Sequence, residues 1–394
     1  MIQFPQTRFL TLAGTLAGTL AGTVFTLAFA PVALAVTLTY SSSIGRPANL
    51  AEGEPLGTPG TLAVPQGITV QQSTGEVFTN FGRFIDRVDR FDSEGNFVGS
   101  IGGGTDGLGP GQSALEFSPQ TGNLYVGDFL NNRINLYDPQ GNFIKFFAQG
   151  EFEEFIPGRA FYGPSGITFD KEGNVYIGDF SGDRIFKYTA DGEKISEFGT
   201  TGTAPGQFQG PAGLRISPNS GNIYVTDQFN NRIQVLDPEG KPLFTFGNKG
   251  TGPGQFDWPI GIEVDEYENI YVADALNSRV QIFDKSGNFL SAYGEPARTP
   301  TGEIIPPPGL DDPPYGTTLD LRPGVFNWTG GTSYANGQLY VGDFFQGRLQ
   351  VFDVSNNAPT DAEPIPEPST MAASVLMGAG WAAAKWKKRK QAKA

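Results

Sequence analysis

The stretch that decides the fold is NIYVTDQFNNRIQVLDPEGKP, residues 222–242. It holds an apolar run, a polar turn, a second apolar run and an Asp-x-x-Gly turn, a pattern typical of short antiparallel strands joined by tight connections. In the related segment 123–143, apolar residues occupy both faces of the second run, as Ile134, Leu136 and Tyr137 show. A strand that is apolar on both faces suits a sheet packed between two other sheets.

The same unit recurs along the chain, which indicates a repeat architecture. Five copies align without gaps at aspartates that lie roughly 50 residues apart until an insertion precedes the last copy. These aspartates are Asp128, Asp179, Asp227, Asp274 and Asp343. A sixth, diverged copy covers residues 76–97.

The first strand of the chain completes the last copy. That copy supplies three strands, and Val36–Gly45 (VTLTYSSSIG) matches the missing outer strand. Pairing the two would remove an open sheet edge, which otherwise invites aggregation. We therefore predict an all-β fold, a six-bladed β-propeller over residues 36–358 whose ring is closed by the N-terminal strand.

Two copies begin with a Gly-Gln-Phe lead and continue with a Pro-x-Gly segment. The leads are Gly206-Gln207-Phe208 and Gly254-Gln255-Phe256, and the segments are Pro211-Ala212-Gly213-Leu214 and Pro259-Ile260-Gly261-Ile262. A Tyr-Val-x-Asp strand, an Asn-x-Arg turn and a closing Phe-Gly follow. Over residues 60–354 this order resembles the NHL repeat, and the resemblance implies a toroid of four-stranded blades.

The N-terminus has the composition of a signal peptide. Arg8 precedes a long apolar stretch, and Ala33-Leu34-Ala35 offers the small-x-small pattern that a signal peptidase accepts. We expect residues 1–35 to be removed by cleavage after Ala35. A retained membrane anchor is the alternative.

The C-terminus has three parts. A linker over 359–368 ends in Pro366-Glu367-Pro368, an apolar run extends from Met371 to Ala384, and a basic cluster covers 385–390. The order resembles the PEP-CTERM sorting signal, which implies cleavage by an exosortase at the envelope of a Gram-negative bacterium. Residues 369–394 would then lodge transiently in the inner membrane, with the basic cluster on the cytoplasmic side. A plain C-terminal membrane anchor is the alternative.

Composition excludes several classes of function. The 394 residues include no cysteine and no histidine, which excludes disulfides, a thiolate nucleophile and a histidine general base. Residues 1–35 and 367–394 hold seven of the 27 basic residues but only one of the 41 acidic residues, so the body between them is strongly acidic. An acidic body repels a phosphate backbone, and we expect no nucleic-acid partner.

Each of the five repeated aspartates is followed by an arginine five positions later. The pairs are Asp128/Arg133, Asp179/Arg184, Asp227/Arg232, Asp274/Arg279 and Asp343/Arg348. A catalytic group is needed once, whereas this pair recurs in five copies. We interpret it as structural, with the carboxylate bound to turn amides or to the guanidinium.

Aromatic residues recur in two sets of loops that should share one rim of the propeller. The loops that leave the second strands carry Phe129, Phe180, Phe229, Phe344 and Phe345, and the loops that enter the blades carry Tyr162, Phe208, Phe256 and Trp258. We expect a docking surface at Phe129, Phe180, Phe229, Phe344, Phe345, Tyr162 and Trp258. The alternative is that the phenylalanines pack between blades. A Pro-rich insertion, 295–322, is long enough to cover this face.

Acidic segments at 170–174 and 265–268 carry oxygen ligands of the kind that calcium prefers. They also fall where hairpin turns are predicted, so we interpret them as solvated turns and expect no cofactor. The chain is thus predicted to be an exported, surface-sorted, noncatalytic binding or scaffold propeller of the cell envelope or extracellular polysaccharide matrix. Its protein or polysaccharide ligand is not identified by the sequence.

Two other functions are compatible with the same fold. One is a calcium-dependent propeller enzyme of lactonase or lyase type, although the streptogramin-type lyases rely on histidine, which this chain lacks. The other is a passive matrix component with no specific ligand.

Overall fold

The computed structural model describes residues 35–80, 85–104, 107–153, 163–306 and 319–357, with 19–20 and 23–24. Ala35–Asn356 forms one compact unit. Outside it, Thr19–Leu20 and Thr23–Val24 pair as a short antiparallel ribbon. The rest of the predicted signal peptide before Ala35 and the whole predicted sorting tail lie outside the described residues. Among those described, no helix has the length and apolarity needed to span a membrane.

Six four-stranded antiparallel sheets form the blades of the propeller. From the central channel outwards, blade 1 consists of the strands Ile68–Val70, Val77–Asn80, Arg87–Phe91 and Phe97–Gly102. Blade 2 consists of Gln112–Phe117, Leu124–Asp128, Arg133–Tyr137 and Phe143–Phe147. Blade 3 consists of Pro164–Phe169, Val175–Asp179, Arg184–Tyr188 and Lys194–Phe198. Blade 4 consists of Pro211–Ile216, Ile223–Asp227, Arg232–Leu236 and Pro242–Phe246. Blade 5 consists of Pro259–Val264, Ile270–Asp274, Arg279–Phe283 and Phe289–Tyr293. Blade 6 consists of Thr329–Ala335, Gln338–Asp343, Arg348–Asn357 and, outermost, Ala35–Ile44.

The innermost strands close the ring. Each contacts the innermost strand of the next blade, and the strand of blade 6 contacts that of blade 1. The predicted six-bladed β-propeller is therefore confirmed.

The N-terminal strand completes blade 6, as predicted. Ala35–Ile44 lies beside Arg348–Asn357 in the sheet order, and the Thr37 and Ser355 hydroxyls are 2.6 Å apart. Val36 and Leu38 are buried against side chains of blades 5 and 6. The two ends of the repeat array are thus held in one sheet.

Short elements connect the blades. Two parallel pairs join strands of two residues, Thr200–Thr201 with Gln207–Phe208 and Glu295–Pro296 with Val325–Phe326. Five single 3-10 turns occur among the described residues: Leu50–Glu52, Phe129–Asn131, Gln228–Asn230, Ala275–Asn277 and Phe344–Gln346. The last four lie between the second and third strands of their blades, at equivalent places in the repeat.

Glycines let the innermost strands approach one another closely. A β-carbon on Gly213 would lie 2.2 Å from the Ile260 carbonyl oxygen of the next blade, and one on Gly331 would lie 1.9 Å from that of Gln66. Real β-carbons do not approach backbone this closely. The glycine of the Pro-x-Gly segment is therefore required by the width of the channel, since neighbouring blades meet there backbone against backbone.

We expect that a chain beginning at Leu50 will be much less stable than one beginning at Val36. The shorter chain loses the outer strand of blade 6 and with it the buried side chains of Val36, Leu38 and Ile44. Burial of each side chain contributes about 1.5–3 kcal/mol to the free energy of unfolding. The melting temperature should therefore fall by about 10 °C or more. Circular dichroism melts of the two chains measure the difference, and equal melting temperatures would contradict closure by this strand.

Candidate functional site

A buried aspartate ends the second strand of five blades and organises the turn that follows. In blade 4, Asp227 accepts hydrogen bonds from the Gln209 N–H at 2.7 Å and from the Asn230 amide at 2.9 Å. It also accepts one from Arg232 Nε at 2.7 Å. Arg232 donates in turn to carbonyl groups of the interblade loop, among them that of Thr203 at 2.6 Å. The pair ties the second strand to the loop that enters the same blade.

The other four pairs have the same geometry. Their Nε–carboxylate distances are 3.4 Å for Arg133–Asp128, 3.0 Å for Arg184–Asp179, 2.9 Å for Arg279–Asp274 and 2.9 Å for Arg348–Asp343. In blade 1 this aspartate is absent, and the equivalent arginine, Arg87, pairs instead with Asp89 of the same strand, with Nε 2.7 Å from Oδ1. Burial raises the pKa of Asp343 to about 6, although Arg348 opposes that shift.

The two sets of aromatic loops do share one rim. The Phe129 N–H donates to the Gly111 carbonyl at 2.9 Å, and the Phe180 N–H donates to the Gly163 carbonyl at 3.1 Å. Each of these bonds joins the loop that follows a second strand to the loop that enters a blade. We call this end of the channel the aromatic rim.

Most side chains of the predicted docking surface are buried in the aromatic rim. Phe129, Phe180, Phe344 and Phe345 are no more than 5% exposed, whereas Phe229 and Trp258 are half-buried. Phe208 and Phe256 are fully buried between blades. Tyr162 lies outside the described residues. Partner binding at this rim stays a prediction, and among the described rings of the predicted docking surface only Phe229 and Trp258 are partly exposed.

The rings of the aromatic rim contact one another from blade to blade. Ring centroids are 5.6 Å apart for Phe180–Phe229, 5.5 Å for Phe229–Trp258, 5.9 Å for Trp258–Trp328 and 5.8 Å for Trp328–Phe344. These separations suit edge-to-face or offset contacts. The rim is therefore a packed aromatic layer across blades 3 to 6.

The flanks of the Pro-rich insertion lie along the aromatic rim at blades 5 and 6. The Asp320 N–H donates to Gln346 Oε1 at 3.1 Å, and Arg348 donates to the Leu321 carbonyl at 2.5 Å. Ile304 and Trp328 line a space of about 320 Å³ beside the Ala275–Asn277 turn. Residues 307–318 of the insertion lie outside the described residues.

The opposite end of the channel opens into a wide cavity. The hairpins between the first and second strands of blades 1 to 4, together with innermost-strand residues of blades 5 and 6, line a space of about 1180 Å³. We call this cavity the funnel. Its walls carry polar side chains, including Gln71, Gln72, Gln120, Asn174, Asn219 and Ser220, and three half-buried aromatic side chains, Phe117, Phe169 and Tyr334.

The floor of the funnel is a ring of polar residues, one from each blade. They occupy the same position of the innermost strand, opposite an aromatic residue of the second strand, and are Thr69, Glu116, Thr168, Arg215, Glu263 and Ser333. All six line the funnel. Below them, towards the aromatic rim, the channel narrows to a space of about 90 Å³ lined in part by Phe129 and Phe180.

Three charged residues of this ring form ion pairs across the channel. Arg215 donates through Nε and Nη2 to the two oxygens of Glu263, at 2.6 Å and 2.5 Å. Its Nη1 donates to Glu116 Oε2 at 2.8 Å. Since Glu116 belongs to blade 2 and Arg215 to blade 4, this second pair joins blades that are not neighbours.

Both carboxylates of the floor hold their protons more tightly than an exposed glutamate does. Burial raises the pKa of Glu263 to about 7, although Arg215 opposes that shift. Burial also raises the pKa of Glu116. One guanidinium faces two carboxylates, so the ionised floor carries an excess negative charge.

Sequence reasoning missed the funnel floor. Its signal was present: Glu116, Arg215 and Glu263 stand at one repeat position where the other copies have Thr or Ser. A charged residue in an innermost strand is unusual because such a strand lies at the centre of the ring, where side chains are largely buried. Recurrence along the chain does not reveal this site, because the site is made of residues that differ between copies.

The acidic segments considered for calcium form turns. Asp170 Oδ1 accepts the Asn174 N–H at 2.8 Å, and Asp265 Oδ1 accepts the Asn269 N–H at 2.8 Å. Asp265 Oδ2 also accepts the Tyr271 hydroxyl at 2.9 Å. Within the described ranges, no group of three or more acidic side chains is arranged to hold a metal ion.

Comparison with known proteins agrees with the fold. A family model described as a 6-bladed beta-propeller (DUF5128) matches residues 213–293. No curated protein matches the chain. The chain is thus a six-bladed β-propeller.

Solved structures share the fold of the chain at low sequence identity. A protein of unknown function from Bacteroides thetaiotaomicron superposes with a TM-score of 0.60 at 15% identity, over 81% of this chain and 76% of the other. An auxiliary nutrient binding protein from the same organism gives 0.56 at 13%, over 81% and 76%. A catalytically inactive histidine-to-alanine variant of virginiamycin B lyase from Staphylococcus aureus, solved with quinupristin, gives 0.50 at 14%, over 81% and 99%.

We expect Phe129→Ala and Phe345→Ala to lower the stability of the propeller. Both side chains are buried in the aromatic rim, and truncation of a buried phenylalanine costs about 3–5 kcal/mol. Phe143→Ala is the control, because Phe143 is 37% exposed on the outer strand of blade 2. Urea denaturation of the three variants measures the effect. Stability equal to that of the control would mean that the two rings are free in solution, as a docking surface requires.

We expect the stability of the chain to fall as pH rises from about 4.5 to about 7, in part through Glu263. Over that interval the folded chain keeps a proton on this carboxyl that the unfolded chain has lost, so the free energy of unfolding decreases with pH, by at most about 3 kcal/mol from this group. Glu263→Gln should make the pH dependence shallower. Asp343 also contributes to the slope but is present in both proteins. Identical slopes in urea denaturation between pH 4.5 and 7 would contradict the raised pKa of Glu263.

Proposed function

We propose that this chain is an exported, noncatalytic binding or scaffold propeller of the cell envelope or extracellular polysaccharide matrix, and that it holds its ligand in the funnel. The observation that carries the proposal is the contrast between the two ends of the channel. The aromatic rim is packed, whereas the funnel encloses about 1180 Å³ above a charged floor. Concave cavities with a few converging polar groups are where propellers and other folds bind ligands.

The two ends of the sequence support export and surface sorting. The proposed cleavage after Ala35 would leave Val36 as the first residue, and Val36 is buried within the strand that closes the ring. Processing at that bond would therefore preserve the propeller. At the other end, Pro366-Glu367-Pro368 and the segment after it support recognition by an exosortase, with the tail passing transiently through the inner membrane.

The alternative of a calcium-dependent lactonase or a lyase has less support. In the Staphylococcus aureus lyase, replacement of a histidine gives a catalytically inactive protein, and the present chain contains no histidine. The floor carboxylates Glu116 and Glu263 are engaged by Arg215, which leaves fewer oxygens for a cation. A binding role also agrees with the likeness to the auxiliary nutrient binding protein, although at 13% identity that likeness concerns the fold.

Two measurements test the proposal. Intact-mass analysis of the envelope or secreted fraction should give a mature protein that begins at Val36 and ends near Pro368. A glycan array probed with residues 36–360 should show binding that is lost when the funnel is blocked by Thr168→Trp, a change at its floor, and retained in Leu243→Trp, a change on the exposed outer strand of blade 4. Recovery of the complete Lys-rich tail would refute sorting. Unchanged binding by the floor variant would refute the funnel as the site.

A further inference from the structure

The floor of the funnel has a charge imbalance that no other floor residue corrects. Arg215 is the single cation of the ring, and it faces Glu116 and Glu263. The remaining members, Thr69, Thr168 and Ser333, are neutral. A buried carboxylate without a compensating charge is costly, so it either takes up a proton or pairs with a cation.

The two carboxylates differ in how many of their oxygens are bound by Arg215. Glu263 gives both oxygens to Arg215, and its side chain is 4% exposed. Glu116 gives one oxygen to Arg215 and accepts a further hydrogen bond from the neutral Thr69 side chain, and its own side chain is 17% exposed towards the funnel. A group that enters the funnel can therefore reach Glu116 but not the carboxylate of Glu263.

No described lysine of the funnel wall reaches the floor carboxylates. Lys187 is directed to Asp170, with Nζ 3.2 Å from Oδ2. Lys171 is exposed at the tip of the hairpin between the first two strands of blade 3. Among the described residues no second cation pairs with these carboxylates, so a ligand that enters the funnel can supply one.

A second observation, made just beneath the floor, also points to a polar occupant of the channel. The Thr332 hydroxyl, next to Ser333 in the innermost strand of blade 6, is buried and has no hydrogen-bond partner. It lines the narrow space directly beneath the floor, together with Glu116 and Arg215. A buried hydroxyl without a partner is rare because it forfeits a hydrogen bond.

The walls indicate what accompanies the cation. Amide and hydroxyl groups alternate there with half-buried aromatic rings such as Phe117, Phe169 and Tyr334. Amides and hydroxyls pair with ligand hydroxyl groups, and the half-buried rings add apolar surface beside them. We propose that the funnel binds a saccharide that carries an ammonium group, an amino sugar, with the ammonium group on Glu116. The inference rests on the proposed binding role.

Two ligands that differ only in charge test the inference. Full-length protein is titrated by calorimetry at about pH 7.5, where Glu263 is mostly ionised and an amine with the pKa of an α-amino group is still mostly protonated. The two ligands are a tetrasaccharide of glucosamine and the corresponding tetrasaccharide of N-acetylglucosamine. The glucosamine tetramer should bind at least about tenfold more tightly, as expected for a charge-assisted hydrogen bond. Equal affinities would overturn the role of charge and leave the binding role in place. Absence of binding by both would overturn the inference, while the proposed function is judged by its own array and mass measurements.

Matched variants locate the charge that matters. Glu116→Gln keeps the shape of the side chain and removes the excess charge, so the preference for the glucosamine tetramer should disappear and the melting temperature should be maintained or raised. Glu94→Gln removes an exposed charge from the hairpin between the third and fourth strands of blade 1, outside the funnel lining, and should keep the preference within about twofold. A preference that survives Glu116→Gln would overturn the assignment. The comparison of the two ligands on the unaltered protein needs no variant to fold.

Discussion

The structure depends on the hydrogen bonding of one buried carboxylate in five of its six repeats. At the end of the second strand, an aspartate such as Asp227 accepts backbone and side-chain donors that would otherwise lie unpaired in the turn. The arginine beside it neutralises the charge and reaches the carbonyl groups of the interblade loop. Because the bonds join the second strand to the loop entering the same blade, each repeat holds its own rim in place. Blade 1 lacks this aspartate, and there Arg87 pairs instead with the buried Asp89 of its own strand.

This local bonding fixes where the innermost strands lie, and their proximity defines the channel. Neighbouring innermost strands meet at glycines such as Gly213, where a β-carbon would collide with the carbonyl of Ile260. The narrow channel then brings residues of non-neighbouring blades within reach of one another. That is why Arg215 of blade 4 contacts Glu116 of blade 2, although 99 positions of sequence separate them.

The two ends of the channel differ because the repeat positions that face them differ in chemistry. At the aromatic rim, rings from four blades pack edge to face against one another, and most of these side chains are buried. At the funnel, the hairpins between the first two strands carry polar side chains that stay apart and leave a cavity of about 1180 Å³. A buried charge imbalance at the base of an open cavity is a different situation from the neutralised pairs of the turns. The charge imbalance leaves a carboxylate with which a ligand can pair, whereas each aspartate–arginine pair of the turns is already neutral within the protein.

The sequence by itself determined the fold, the number of blades and the strand that closes the ring. Recurrence does this, because a unit that repeats with its strands, turns and aspartates in one order has to bury both faces against copies of itself. The sequence also predicted that the two sets of aromatic loops share a rim, since strand order alone fixes which connections lie together. Only the tertiary structure decided that Phe129 and Phe345 face other rings rather than solvent. Only the tertiary structure brought Glu116, Arg215 and Glu263 together, because that contact crosses the axis of the ring, and no spacing along the chain encodes a distance across it.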